Sequence, residues 1–375
     1  MKFPWTLMAI MATGSLMVTP NPPSYASSPE KVWTVHTEGI VKNRLESITL
    51  PFDVQPSDLV LDRIKMYVTG GRRDTEIIMG RSVLYFPIFE HYLHLYNLPM
   101  ELKYLPIIES GMRPGVSSHV GAVGMWQFMH STARHYGLTI NEYIDERRDP
   151  YRSTEAAVRM LADLHDVFGD WALVLAAYNG GIGRVQKAIQ YAGSKDFAEV
   201  KRYLPQETQR YVPYFTAAVY IATYYSEHGI HPRVPERQLQ DTRTLEVHEY
   251  VSFNEIAQAT GLNYGIISKL NPAYLRGALP RSRKGVYLVL PSKAVADAKN
   301  YLDETAERNP SNTAPRNAFK YTHVVESGQN LEQLAKAFQC SVEDIMKWNN
   351  LSEPQVVIHQ QLDLYVTKAV IFNRA

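Results

Sequence analysis

The sequence has little cysteine: Cys340 is the single one among 375 residues. An internal disulfide and a metal cluster held by several cysteines are therefore excluded. An excess of charge of either sign is also missing, since 39 Lys and Arg residues and 38 Asp and Glu residues give a formal net charge of +1. This balance gives no indication of a surface for nucleic acid. The low cysteine content agrees with an oxidising compartment.

Long hydrophobic runs are missing as well, because no later segment reaches the roughly 20 consecutive apolar residues of a membrane-spanning helix. At the N-terminus, Lys2 precedes a broken apolar stretch over residues 3–18, and small residues surround Ala26. This pattern predicts a secretory signal peptide over residues 1–26, with a buried N-terminal helix as the alternative. No cysteine stands near the predicted cut, so we expect no lipoprotein anchor. The expected location is the periplasm or cell envelope, without a transmembrane anchor in the mature chain.

The periodicity of apolar residues predicts a mainly α fold. Helical spacing recurs from about Ser57 to Glu227 without strand patterns, and Ser153 or Thr154 is the expected cap of one long helix. After Pro232 a β-α-α-β order occurs twice, which indicates two similar small modules. The predicted divisions are a signal peptide (1–26), a helical lead-in (30–98), a main helical domain (99–232), a first module (244–291), a linker (303–319) and a second module (320–367).

Glu109 is the first candidate for chemistry. In a helix, Leu102 and Leu105 lie on the same face as Glu109, so the carboxyl is directed along apolar side chains. An apolar environment disfavours the charged form and raises the pKa of the carboxyl, as a general acid near neutral pH requires. The alternative is a glutamate at a helix end that is exposed or caps a loop amide. Without the other motifs, the local sequence around Glu109 favours that alternative.

Two further segments carry side chains that suit a sugar. Residues 121–129 contain two glycines, the flat apolar Trp126, and Gln127, which offers both a donor and an acceptor. Tyr178 and Asn179 stand at a predicted helix end before two glycines. The alternatives are a tight turn with a core tryptophan and simple helix capping. For Tyr211, a fourth candidate, the alternative is a packed side chain with a satisfied hydroxyl.

Other titratable residues favour structural roles. The acidic run from Asp145 to Asp149 is a candidate for a second carboxylate, but a salt-bridged loop before a helix is the favoured interpretation. The 12 histidines show no metal-binding spacing. We therefore expect neither a metal nor a cofactor.

The motifs in their order resemble the soluble lytic transglycosylase (SLT) family. The resemblance covers about residues 75–225 and rests on ELKYLPIIES, SSHVGAVGMWQFM, DERRDP, GDWALVLAAYNGGIGRV and ETQRYVP. It implies a lysozyme-like helical domain with Glu109 as the catalytic acid/base. The positions that line the family's glycan cleft correspond to Ser110, Ser118, Met125, Gln127, Tyr178, Asn179 and Tyr211. Met125 stands where the family usually has leucine, a change that keeps volume and polarity.

The C-terminal part resembles LysM, a peptidoglycan-binding module. Residues 320–367 carry the resemblance, with Gln329 and Asn330 in place of the usual acidic-hydroxyl pair and His359 in place of a usual glycine. Residues 244–291 are similar to a further diverged repeat. The implied partner is the glycan strand of peptidoglycan, and other cell-envelope proteins are possible partners.

The resemblance implies cleavage of the β-1,4 bond between N-acetylmuramic acid and N-acetylglucosamine. Most glycosidases use two carboxylates, whereas the residues here indicate one, Glu109. A single carboxylate is typical of the substrate-assisted exceptions, and the resemblance implies a product with a 1,6-anhydro end. One alternative is a hydrolytic lysozyme with a second acid. Another is a non-catalytic protein that binds the wall or acts as a scaffold, and an adaptor for other envelope enzymes is compatible with catalysis.

Overall fold

The computed structural model describes residues 33–53, 56–308, 318–326, 328–338, 340–349 and 351–367. The predicted signal peptide lies outside the described residues. Helices dominate the first part, and the mainly α fold class with small βααβ modules is confirmed. Across the described ranges, no helix combines the length and apolar character that crossing a bilayer demands.

Among the residues that the structure describes, the helical domain contains ten α-helices. They are α1 (Val35–Glu46), α2 (Asp58–Val68), α3 (Arg72–Leu95), α4 (Leu105–Ser110), α5 (His130–His135), α6 (Pro150–Phe168), α7 (Trp171–Gly180), α8 (Ile182–Ala192), α9 (Phe197–Val200) and α10 (Gln206–Tyr224). Short 3₁₀ helices occur at Met100–Tyr104, Glu146–Arg148 and Lys201–Tyr203. Between α4 and α6 the chain forms isolated β-bridges instead of longer strands.

Helix α6 begins earlier than its sequence suggests. Its N-cap is Asp149, whose carboxylate accepts hydrogen bonds from the backbone N–H groups of Tyr151 and Arg152 at 2.8 and 2.9 Å. The following Pro150 fits the first helical position, where no N–H donor is needed. The prediction of Ser153 or Thr154 as the cap is therefore wrong. Both hydroxyls instead donate back to carbonyls of the first turn.

The core of this domain is built around α7. Residues 171–177 of that helix are all buried, which is typical of a helix surrounded by others on every side. Helix α10 packs against α2 and α7 and also contacts α4. The fully buried Trp126 packs edge-to-face on Phe89 at 5.2 Å between ring centres, and its indole N–H donates to Thr154 at 2.9 Å. This packing fixes the segment around Trp126 against α3 and α6.

The middle module, which we define as residues 241–308, has its own core. After α11 (Arg237–Gln240), strand β1 (Thr242–Val247) pairs antiparallel with β4 (Val286–Pro291), and β2 (Val251–Ser252) pairs with β3 (Ala278–Leu279). Helices α12 (Phe253–Thr260) and α13 (Tyr264–Leu270) lie between them, and α14 (Val295–Arg308) packs on α12. The linker prediction for residues 303–319 is wrong at 303–308, which continue α14, and at 318–319, which begin the next strand. Tyr301 and Leu302 pack on the module core and hold that helix.

The C-terminal module repeats the same order. Strand β5 (Ala318–Val324) pairs antiparallel with β6 (Gln361–Thr367), and α15 (Leu331–Phe338) and α16 (Val342–Trp348) lie between them. Asn271 follows α13 and Asn349 follows α16. Each amide donates to a helix carbonyl and a strand carbonyl and accepts from a strand N–H, as seen at Val289 and Asp363. The same asparagine hydrogen bonds in both modules support the predicted internal repeat.

Candidate active site

Glu109 lies in the last turn of α4, a helix of six residues. Gly111 ends that helix in the left-handed conformation with φ of 61°. The preceding side chains of Leu105 and Ile107 are buried, whereas Glu109 is partly exposed. The carboxyl therefore stands at the boundary between the apolar core and solvent.

The hydroxyl of Tyr211 on α10 donates a hydrogen bond to Oε1 of Glu109. Burial of the carboxyl raises its pKa from 4.5 to about 7, opposed by the Tyr211 hydrogen bond and supported by the negative charge of Glu207. Burial, followed by the charge of Glu109, also raises the pKa of Tyr211 well above its usual range. At neutral pH the tyrosine is therefore a neutral donor beside a carboxyl whose pKa lies near that pH.

Residues 116–128, which we call the glycine loop, lie next to α4. Backbone hydrogen bonds join Gly124 N–H to Val116 O and Ser118 N–H to Ala122 O, so the loop folds back on itself. Gly124 has a φ of 88°, and a Cβ atom there would stand 1.8 Å from the carbonyl oxygen of Arg147. A side chain at this position therefore does not fit.

Ser110 and Met125 join α4 to the glycine loop. The hydroxyl of Ser110 donates to Met125 O at 2.9 Å and accepts from the N–H of Arg113 at 3.2 Å. Ser110 is 4% exposed and the Met125 side chain is fully buried. In this structure both residues support the loop from inside the protein. Their predicted contacts with a glycan stay predictions.

Ser118 and Gln127 are partly exposed residues of the glycine loop. Ser118 accepts a hydrogen bond from Ala122 N–H at 3.0 Å, and the Gln127 amide donates to Gly124 O at 2.8 Å. Gln127 has a φ of 49°, an uncommon value for a residue with a side chain. Such conformations persist only where the surrounding structure holds them, and they cluster at functional sites.

Tyr178 and Asn179 lie at the end of α7. The Tyr178 hydroxyl donates to Trp126 O at 2.7 Å, and burial with the charge of Glu109 raises the Tyr178 pKa well above its usual range. The side-chain Oδ1 of Asn179 accepts a hydrogen bond from the hydroxyl of Thr208 at 2.9 Å, which ties α7 to α10. Glu109, Tyr178 and Tyr211 thus form one electrostatically coupled group.

Two acidic residues outside this group have different roles. Asp145 is 4% exposed, and its carboxylate accepts hydrogen bonds from Nε and Nη2 of Arg147 at 2.9 and 2.8 Å. This pair agrees with the favoured interpretation of a salt-bridged loop. Glu207 is exposed, yet its charge acts on Glu109. The sequence reasoning missed Glu207, although its spacing of one helical turn from Tyr211 places both on one face of α10.

Residues 87–201 match the family described as the transglycosylase SLT domain. The chain is an SLT-domain protein. Residues 241–307 of this SLT-domain protein match the LysM-like domain of lytic transglycosylase MltD, and residues 323–364 match the LysM domain. The predicted resemblances to the SLT and LysM families are confirmed.

Three curated relatives show how far the likeness extends. Membrane-bound lytic murein transglycosylase D of Escherichia coli (strain K12) is 34% identical over 281 residues, which cover 72% of this chain and 60% of that protein. The chain therefore spans less than two thirds of this relative. A putative tributyltin chloride resistance protein of Alteromonas sp. (strain M-1) is 40% identical over 26% of this chain and 48% of its own. Peptidoglycan transglycosylase gp16 of Escherichia phage T7 is 38% identical over 24% of this chain and 7% of its own.

Proposed function

We propose that this SLT-domain protein is a peptidoglycan lytic transglycosylase with Glu109 as its single acid/base. The observation that carries the proposal is the partly shielded Glu109 carboxyl, which has a pKa of about 7 and a hydrogen bond from Tyr211. A carboxyl with a pKa near the working pH is able both to give and to take a proton. The names of the relatives support peptidoglycan as the substrate.

The proposed reaction needs no second carboxylate. Protonated Glu109 gives its proton to the oxygen of the bond between N-acetylmuramic acid and N-acetylglucosamine, while the muramoyl N-acetyl carbonyl attacks the anomeric carbon. The ionised Glu109 then takes the proton from the O6 hydroxyl of the same sugar as that oxygen attacks the same carbon. The product is a 1,6-anhydro end, and no water is consumed. In substrate-assisted glycosidases, a neighbouring N-acetyl group likewise takes the place of the second carboxylate.

Tyr211 has a defined part in this cycle. Its neutral hydroxyl remains a donor throughout, so it stabilises the carboxylate that forms after the first proton transfer. We propose that the glycine loop, Asn179 and Tyr178 bind the sugars on either side. The location proposed for this chemistry is the cell envelope, after export, with the C-terminal module binding glycan strands.

A hydrolytic muramidase is a second candidate because the charge of Glu207 acts on Glu109. In that case a second carboxylate assists water, and the product is a reducing end. Mass spectrometry of muropeptides from purified sacculi separates the two, since the anhydro product is lighter by one water. We expect anhydro ends from the wild-type chain. Reducing ends would replace the proposal by the hydrolytic reaction, and intact sacculi would leave a wall-binding protein.

The pH dependence of kcat/KM provides an independent check. Protonated Glu109 is the active form in the first step, so kcat/KM should be constant below pH 7 and fall about tenfold per pH unit above it. Tyr211→Phe removes a donor that favours the ionised form, so the falling limb should move to higher pH. Glu207→Gln removes a like charge, so the limb should move to lower pH.

Measured on uncross-linked glycan strands, opposite shifts in the two variants support the assignment of the limb to Glu109. Shifts in the same direction, or a limb unaffected by either change, contradict it.

A further inference from the structure

The turn between α5 and α6 pairs with the middle module through its backbone. Asp145 N–H donates to Ala273 O at 2.9 Å, and Leu275 N–H donates to Tyr143 O at 2.9 Å. The two segments form an antiparallel bridge between Ile144 and Tyr274. Backbone bonds in both directions fix the register of the segments, as in a short ladder.

Side chains extend this contact. Arg276 of the middle module makes a salt bridge to Glu142 at 2.6 Å, and its guanidinium lies 4.4 Å from the centre of the Tyr143 ring. A second arginine, Arg152 of α6, lies 5.9 Å from the ring centre of Tyr287 in β4. The middle module is therefore docked on the helical domain through both backbone and side-chain contacts.

The docked turn is connected directly to the glycine loop. Asp145 and Arg147 are 4% and 8% exposed and bind each other through two hydrogen bonds. The same guanidinium donates to Gly121 O at 3.2 Å and Phe128 O at 3.4 Å, which are both in the glycine loop. A buried guanidinium is costly unless its donors are satisfied, so this arrangement holds the loop in one position.

We propose that the middle module is a docked part of the catalytic unit that positions the glycine loop through Asp145 and Arg147. In this account Arg147 is a positioning residue. The middle module supports glycan binding because it keeps the glycine loop ordered, and not because it holds glycan at a separate site. The inference rests on the proposed function in one respect, namely that the glycine loop contacts the glycan.

Charge reversal at the docking surface tests the proposal in the full chain. In Arg276→Glu, two negative groups face each other across the contact, so amide exchange in residues 116–128 should accelerate by about threefold to fivefold. The matched control is Arg281→Glu, because Arg281 has similar exposure but pairs with Glu249 inside the module at 3.2 Å. The double change Glu142→Arg with Arg276→Glu restores opposite charges and should restore slow exchange.

Steady-state kinetics provide the second readout. Arg147→Lys keeps the charge but loses the planar fork, so KM for glycan strands should rise by about tenfold with little change in kcat. Arg276→Glu should raise KM in the same direction, and Arg281→Glu should not.

Exchange rates that are equal in Arg276→Glu and Arg281→Glu, or that the double change fails to restore, would overturn the proposal. The measurement of amide exchange does not depend on lytic activity. A wild-type chain without lytic activity would remove the proposed function, whereas the exchange result would still decide whether the module positions the loop.

Discussion

Replacement of Glu109 with Gln is expected to reduce the lysis of sacculi by at least about a thousandfold, because the amide can neither give nor take the proton in either step. The change keeps the shape of the side chain and removes a partly buried carboxyl, so the fold should be retained. The measurement is the fall in turbidity of purified sacculi, together with the amount of protein that sediments with them. Binding to sacculi should be unchanged, since the C-terminal module is untouched.

The matched control is Glu101→Gln, in the 3₁₀ helix before α4 and outside the coupled group of Glu109, Tyr178 and Tyr211. It should retain lysis at the wild-type rate. Lytic activity that survives in the Glu109→Gln variant would remove Glu109 from the mechanism. Equal losses in both variants would indicate a general effect on the domain.

Gly124→Ala is expected to lower the free energy of unfolding of the helical domain by about 3 kcal/mol or more. Two costs combine at this position. The φ of 88° is unfavourable for alanine, and the added Cβ stands 1.8 Å from the carbonyl oxygen of Arg147, a backbone atom that moves only with the docked turn. Urea denaturation followed by far-ultraviolet circular dichroism, to which the helices of this domain contribute most, measures the change.

Gly121→Ala separates the two costs. Gly121 has a similar φ of 87°, but nothing lies within 4 Å of an added Cβ. This variant should lose about 1 kcal/mol, the cost of the backbone conformation alone. If the two variants are equally destabilised, the contact between the glycine loop and Arg147 does not contribute to stability.

The sequence predicted best those elements whose local signals agree with their packing. The predicted β-α-α-β order of the C-terminal module is one example, because its helices at 331–338 and 342–348 each bury an apolar face. Helix α1 lies in the predicted helical lead-in (30–98), but no local pattern indicated its bounds. It buries Val41 and Leu45 and exposes most of the rest, so its apolar periodicity is weak.

Long-range contacts account for what the sequence did not predict. Glu109 and Tyr211 were both candidates, but their hydrogen bond joins residues 102 apart, and only the packing of α4 on α10 brings them together. The influence of Glu207 on Glu109 follows from the same packing. The pairing of Asp145 with Ala273 uses backbone groups, which every residue except proline offers, so no side-chain pattern indicates it.

The most direct measurement of the central claim is the titration of the Glu109 carboxyl itself. With ¹³C-labelled glutamate, the Glu109 carboxyl carbon is the resonance that disappears in the Glu109→Gln variant. The account predicts a pKa of about 7 for this carbon in the full chain. A midpoint at the ordinary value of 4.5 would show a carboxyl that is ionised at neutral pH, and would contradict its role as the acid that begins the reaction.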